Sequence, residues 1–371
     1  MRTLLDRIHR EGPVRFDVAV DALLYGDEGF FSRGSGAGRA EDFLTSPEVG
    51  PLFGAVVARA LDAEWERLGR PDPFVVIEAA AGRGALARSV LDASPSCAPA
   101  LRYVCVERSA VLRARLEDLL PVEPAANVFG AVVSGDDEVR HITGTGPVVA
   151  VLDDLPFVPV TGVVLANELL DNIPFRLVER TLAGWSEVLV SASGDALHEL
   201  LVTAAPDVAQ EASRLAPDAP VGARLPLQHE AAAWLRRALG VLEQGRVVVV
   251  DYADVSPSLA ARPWQQWLRT YRGHGRGRGP LESPGDQDIT CEVAVDQLAR
   301  VRPPTSDRSQ ASWLAAHGLD ELVAEARQRW EERAHIGDLE SLRHRSRVGE
   351  AVTLTDGSGL GAFRVLEWVV G

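Results

Sequence analysis

Apolar residues in this chain fall in short unbroken runs separated by stretches with helical spacing, the pattern of strands buried on both faces with helices packed across them. The run FVVI, residues 74–77, ends in Glu78 and passes into a small-residue loop, AAAGRG, followed by the helical segment LARSVLDA. A second run, LRYVCVER, ends in Glu107, 23 residues beyond Gly84. Residues 147–152 (PVVAVL) and 162–166 (GVVLA) predict a third and a fourth strand, and RVVVVDYAD, residues 246–254, is the strongest strand of the chain. Strands alternating with helices in this way predict an α/β fold with a parallel sheet.

Around these strands the pattern changes character. Residues 1–25 predict two short helices broken at Gly12-Pro13, with apolar positions at helical spacing. Residues 25–54 are rich in glycine and carry little regular pattern before Thr45, where Thr45-x-x-Glu48 matches a capping box and Leu52, Phe53, Val56, Val57, Ala60 and Leu61 give the next helix its apolar face. Two readings stand for this stretch, a simple cap or a binding loop that closes over a site. Residues 175–203 alternate and are split by turns, which predicts an antiparallel meander, and EAAAWLRRALGVLEQ predicts a helix. Residues 255–310 are poor in regular pattern and rich in Pro, Gly, Trp and Arg, as expected of a loop folded over the substrate side. The chain closes with helical SWLAAHGLDELVAEARQRW, then AVTLT and AFRVLEWVV as a terminal antiparallel hairpin. The expected organisation is residues 1–70 as N-terminal helices and lid-like loop, and residues 71–371 as one large domain with insertions at about 175–230 and 255–310.

Composition narrows the class. With 371 residues and 46% hydrophobic content the chain can bury a large core as a soluble globular protein. A net charge of −15 argues against general affinity for nucleic acid or anionic membrane and suits a basic or cationic partner. All basic residues are arginine. The short GRGRG piece, with Trp264, Trp267 and Tyr271 nearby, is too brief for a nucleic-acid-binding repeat. Three cysteines without C-x-x-C spacing and eight histidines without an H-x-x-x-H pair indicate neither a disulfide framework nor a metal site. No apolar run approaches a membrane span, so a cytoplasmic location is the expectation, and the Trp-rich loop leaves homodimerisation open.

Candidate chemistry sits at two strand ends. The loop after the first strand allows backbone N–H groups and a helix N-terminus to approach a ligand, and Glu107 can reach the two hydroxyls of a ribose. A dinucleotide site wants G-x-G-x-x-G, but Gly82-x-Gly84-x-x-Ala87 has alanine at the third position, and Ala80 stands ahead of them where a glycine is expected. S-adenosyl-L-methionine is the alternative, since its cationic sulfonium and ammonium groups are served by an acid such as Glu78. The second place is NELLDNIPF after the fourth strand: Asn167, Glu168 and Asp171 fall on the same carboxyl edge, and i, i+3 spacing would put Glu168 and Asp171 on one side of a helical turn. A helix start with a solvated Asp171 is the plainer reading.

The segments GPVRF, YGDEGFFSRG, GRAEDFLTSPEVGPLFG, VIEAAAGRGALA, YVCVERSAVLRAR, GVVLANELLDNIPF, GRVVVVDYAD, LRTYRGH, SPGDQDIT and FRVLEWVV occur in an order that resembles the MidA-like S-adenosylmethionine-dependent methyltransferases over nearly the whole chain. That family includes a mitochondrial protein arginine methyltransferase. The chain departs from the family pattern at Ala80 and Ala253, where glycine is usual, and at Glu41, which replaces the glycine before Asp42. The resemblance implies a class I, Rossmann-like methyltransferase sheet that binds S-adenosyl-L-methionine and releases S-adenosyl-L-homocysteine. It implies Glu78, Ala80, Gly82 and Gly84 at the cofactor loop, Glu107 on the ribose and Asp153 near the adenine. Thr45 and Ser46 would close over the site, and Asn167 would lie beside the methionine portion. Glu168, with Asp171, would grip a guanidinium, because a pair of acids can bind its planar fork bidentately. The expected reaction is N-methylation of a protein arginine; a small natural product as acceptor, or a non-catalytic assembly factor that keeps the fold, are the competing readings.

Overall fold

In the computed structural model, residues 2–34, 45–129, 132–133, 139–140, 144–273 and 275–371 are described. Residues 35–44 of the glycine-rich segment, including Glu41 and Asp42, lie outside them.

Seven strands form the central sheet: β1 (Phe74–Ala79), β2 (Leu101–Val106), β3 (Val148–Leu152), β4 (Val160–Asn167), β5 (Leu242–Asp251), β6 (Ser306–Ser309) and β7 (Arg364–Val370). Their spatial order is β3-β2-β1-β4-β5-β7-β6. Neighbours from β3 to β5 are parallel, and β7 runs antiparallel to both β5 and β6. The order reverses between β1 and β4, so a crevice opens at their carboxyl ends, where such sheets bind ligands.

Alternate side chains of each strand feed two cores. Phe74 and Val76 face a cluster with Leu52, Phe53 and Val56 of the helix Pro51–Arg67. Val75 and Ile77 face the other side, with Leu235 and Ala238 of the helix His229–Val241. Because both faces are covered, β1 and β2 are buried at every position, which is why they read as unbroken apolar runs. Gly162 marks how closely the strands approach: a Cβ there would stand 1.8 Å from the Val75 carbonyl oxygen.

A second, antiparallel sheet is built from Val14–Arg15, Arg176–Thr181, Gly184–Ser193, Ala196–Thr203 and Arg224–Leu227. Three of these are the expected meander. The other two come from the N-terminus and from the segment before the helix His229–Val241. Phe16, Phe175, Leu177, Val188 and Trp267 form the core between this sheet and the helix Phe16–Tyr25. The first 70 residues are therefore divided between two cores: Phe16–Tyr25 packs on the second sheet, Pro51–Arg67 on the central one.

Three expectations change. AVTLT is not a strand; it finishes the helix Leu339–Leu354. That helix lies against Leu319–Arg333, and its Glu350 accepts the Leu52 N–H at 2.9 Å, a tertiary bond that outweighs the strand preference of Val and Thr. The partner of β7 is instead β6, from residues 306–309. Residues 255–310 carry a helix, Ser256–Ala261, and a small sheet of Leu268–Arg272, Gly275–Arg276 and Asp288–Cys291. They pack behind the turn Leu170–Asn172 and do not line the cavity described below. Trp267 is fully buried in this packing.

Candidate active site

β1 and β2 each deliver a glutamate to one cavity. Glu78 is 4% exposed; its carboxylate accepts the Tyr103 hydroxyl at 2.7 Å and the N–H of Ala87 in the first turn of the helix Ala85–Asp92. An acid placed there meets an unpaired N–H and the positive end of the helix dipole. Burial still pushes its pKa up to about 7, with the Tyr103 and Ala87 bonds pulling down and Glu107 pushing further up. Glu107 accepts the Gly82 N–H at 2.9 Å on one oxygen and the Ser109 N–H at 2.7 Å on the other. The acid after β2 thus fastens the loop after β1, and each oxygen keeps a further lone pair.

The loop needs left-handed backbone at Ala80 (φ 57°), Gly82 (φ 55°) and Gly84 (φ 82°). A Cβ on Gly82 would meet nothing within 4 Å, so the backbone there is open to a ligand. Ala80 bears the strain that the family's usual glycine avoids. Ala80→Gly is expected to stabilise the protein by up to about 1 kcal/mol, since relief of roughly 1–2 kcal/mol of left-handed strain exceeds the added chain entropy. Thermal melting checks this, and a destabilised variant would show that the strain is absent.

After β4 the chain makes a sharp turn. Glu168 has φ 52°, its N–H donates to the Val250 carbonyl at 2.8 Å, and a short 3₁₀ turn, Leu170–Asn172, follows. The Glu168 carboxylate accepts the Asn167 side-chain N–H at 3.1 Å and the Ser46 backbone N–H at 3.4 Å. Burial, then the charge of Asp171, pushes its pKa up to about 8; the Asn167 and Ser46 donors oppose this and Asp288 adds to it. The left-handed residue breaks the helical register on which the pairing of Glu168 with Asp171 depended. Asp171 is 4% exposed, lies off the cavity wall and packs against Asp251, and burial lifts its pKa to about 7.

The cavity has a volume of about 950 Å³. Of the residues expected from sequence, Thr45, Glu78, Ala80, Gly82, Glu107, Asp153, Asn167 and Glu168 line it; Ser46, Gly84 and Asp171 do not. Gly84 precedes the helix Ala85–Asp92 as its left-handed cap. The Ser46 hydroxyl donates to Gln310 at 2.9 Å, leaving only its N–H toward the site. Thr45 makes no side-chain cap bond, so the capping box is not formed, and Thr45, Pro47 and Glu48 face the cavity instead. Sequence reasoning missed the side walls. Asp17, Asp21 and Tyr25 come from the helix Phe16–Tyr25, with i, i+4, i+8 spacing as their one signal, and Glu230, Trp234 and Arg237 come from His229–Val241. Asp153 is exposed at the rim, where its neighbour Asp154 pairs with Arg237 at 2.6 Å. Behind the turn, Asn172 donates to Asp288 at 2.9 Å and its carbonyl accepts the Tyr25 hydroxyl at 3.3 Å.

These residues fit S-adenosyl-L-methionine. Asn167 lines the cavity, and its buried side-chain oxygen accepts no hydrogen bond among the described residues, which leaves an acceptor for an ammonium group. Glu107 retains acceptor capacity for two ribose hydroxyls, the open backbone at Gly82 admits close approach, and Asp153 lines the rim of the same cavity. The reversed last strand, the switch-point crevice and this set of acids define a class I S-adenosylmethionine-dependent methyltransferase.

The comparisons agree. A family model described as "Putative S-adenosyl-L-methionine-dependent methyltransferase" matches residues 56–309. The crystal structure of a Burkholderia thailandensis superfamily member bound to S-adenosyl-homocysteine superposes with a TM-score of 0.80 at 26% identity, covering 99% of this chain and 90% of that one. Among curated proteins, the Protein arginine methyltransferase NDUFAF7 homolog, mitochondrial, of Drosophila melanogaster is 28% identical over 284 residues, 71% of this chain and 61% of that protein. Protein arginine methyltransferase NDUFAF7, mitochondrial, of Mus musculus is 25% identical over 324 residues, 81% of this chain and 69% of that protein. The chain thus spans about three fifths of the length of the Drosophila relative. It belongs to the MidA-like family of S-adenosylmethionine-dependent methyltransferases.

Proposed function

We propose that this enzyme methylates a guanidinium nitrogen of a protein arginine. The observation that carries the reading is a cluster of buried acids at the cavity wall: Glu168 lines it, and Asp171, Asp251 and Asp288 are packed behind, groups whose ionised forms a bound cation would favour. The relatives named as protein arginine methyltransferases support the same acceptor class.

When bound, the cofactor supplies an electrophilic methyl group on sulfur. The protein's part is to position and to move a proton. Glu107 and the Gly82 backbone orient the nucleoside, and Asn167 orients the amino-acid end. Glu168 grips the guanidinium, which is charged at any physiological pH, and holds one nitrogen toward the methyl while the walls exclude water. The acceptor nitrogen takes the methyl group as the methyl–sulfur bond breaks, leaving S-adenosyl-L-homocysteine, and gives up one proton, which the Glu168 carboxylate is the base placed to receive.

The test is incubation with methyl-labelled cofactor and an extract of cells lacking the protein. Label is expected in a protein fraction, and in methylarginine after acid hydrolysis. Label confined to small molecules would replace the arginine reading with a small-molecule acceptor, and no label in either fraction would leave a scaffold that has kept the fold.

A further inference from the structure

The carboxylate of Asp251 ends β5 and is 1% exposed, away from the cavity wall. One of its oxygens accepts the N–H groups of Leu170 at 2.9 Å and Asp171 at 3.3 Å; the other accepts the Tyr252 N–H at 2.9 Å. Two residues before this clamp sits Glu168, held in its left-handed conformation by its own bond to the Val250 carbonyl. The end of β5 therefore grips the turn on both sides of Leu169. A non-glycine residue in that conformation persists only where its surroundings impose it. Without Asp251 the N–H groups of residues 170 and 171 would be buried unpaired, and the turn could relax to ordinary helical dihedrals that carry the Glu168 side chain out of line.

We infer that Asp251 is a positioning residue for Glu168: by clamping the turn that follows, it fixes the acceptor-holding carboxylate at the cavity wall. The inference rests on Glu168 as the acceptor-holding group proposed above. The charged and titratable groups around Glu168 are Asp171 on its own turn, Asp251 and Tyr252 at the end of β5, Asp288 from Asp288–Cys291, and Arg269, which acts on Asp171 from Leu268–Arg272.

The test uses the full chain saturated with S-adenosyl-homocysteine and two readouts. One is binding of N-acetyl-arginine amide by calorimetry at about pH 9. The other, independent of any acceptor, is the infrared titration of the Glu168 carboxyl, assigned by its loss in Glu168→Gln. Asp251→Asn is expected to weaken probe binding by about tenfold or more and, by letting the relaxed turn carry the Glu168 carboxyl out of its buried position, to move its midpoint to lower pH, while leaving S-adenosyl-homocysteine affinity within about twofold. Asp251→Glu keeps a carboxylate but displaces its oxygens from the two N–H groups, so it should weaken the probe and move the midpoint in the same direction. Asp171→Asn removes the charge beside Glu168 and should move the midpoint to lower pH. Wild-type affinity in both Asp251 variants overturns the inference. If the wild-type protein binds S-adenosyl-homocysteine but not the probe, the arginine reading fails; the infrared titration then decides the inference, an unmoved midpoint in Asp251→Asn refuting it.

Discussion

Glu168→Gln is expected to abolish methyl transfer and, in the same protein, to raise the melting temperature of the cofactor-free chain at alkaline pH. The first effect follows from losing both the anion that holds a guanidinium and the base that takes its proton, a drop of about 10²- to 10⁴-fold in turnover with cofactor affinity preserved. The second follows from the direction of the pKa shift. Glu168 titrates near 8 in the folded protein, against about 4.3 in an unfolded chain. Between those values the folded state keeps a proton that the unfolded state has lost, so the stability this group contributes is intact below about pH 4 and is lost as pH rises through 8. Asp171 and Glu78, each lifted to about 7, act in the same direction. The wild-type melting temperature should therefore fall from pH 5 to pH 8.5. Glutamine at 168 cannot ionise, and should recover about 1–2 kcal/mol at the upper end, a few degrees in calorimetry. Full turnover in the variant would remove Glu168 from the chemistry, and a lower melting temperature at pH 8.5 would show that its charge is not the burden described here.

Glu107→Ala should cost about 100-fold in S-adenosyl-homocysteine affinity, measured by calorimetry. Two ribose hydroxyls lose a charged acceptor, at roughly 1.5–3 kcal/mol for each hydrogen bond to a charged group, partly offset by water entering the space. The Gly82 and Ser109 N–H groups lose their partner as well, so the loop should loosen along with the ligand. Glu107→Asp, which keeps the charge but shortens the reach, should fall between. A loss of less than about threefold in Glu107→Ala would place the ribose elsewhere in the cavity.

The sequence by itself determined the parallel strands, the helices between them and the two acid-bearing strand ends. Those features are local. Strands buried on both faces read as apolar runs, and ligand-binding residues of such sheets fall where the strands stop, so FVVIE, YVCVE and VVLANE announced the scaffold and the acids at its strand ends. Which acids point into the cavity was decided only by the tertiary structure. Asp171 looks like the partner of Glu168 in a helical count, but a left-handed Glu168 and the distant Asp251 carboxylate turn it inward. Ser46 is drawn off by Gln310, 264 residues away, and AVTLT becomes helix because Glu350 caps the helix that begins near Leu52. The walls from Phe16–Tyr25 and His229–Val241 likewise exist only once two separate cores have brought those helices across the crevice. Periodicity reports which face of an element is buried; it does not report which buried polar group will satisfy a backbone N–H far along the chain, and in this protein those long-range bonds set the geometry of the site.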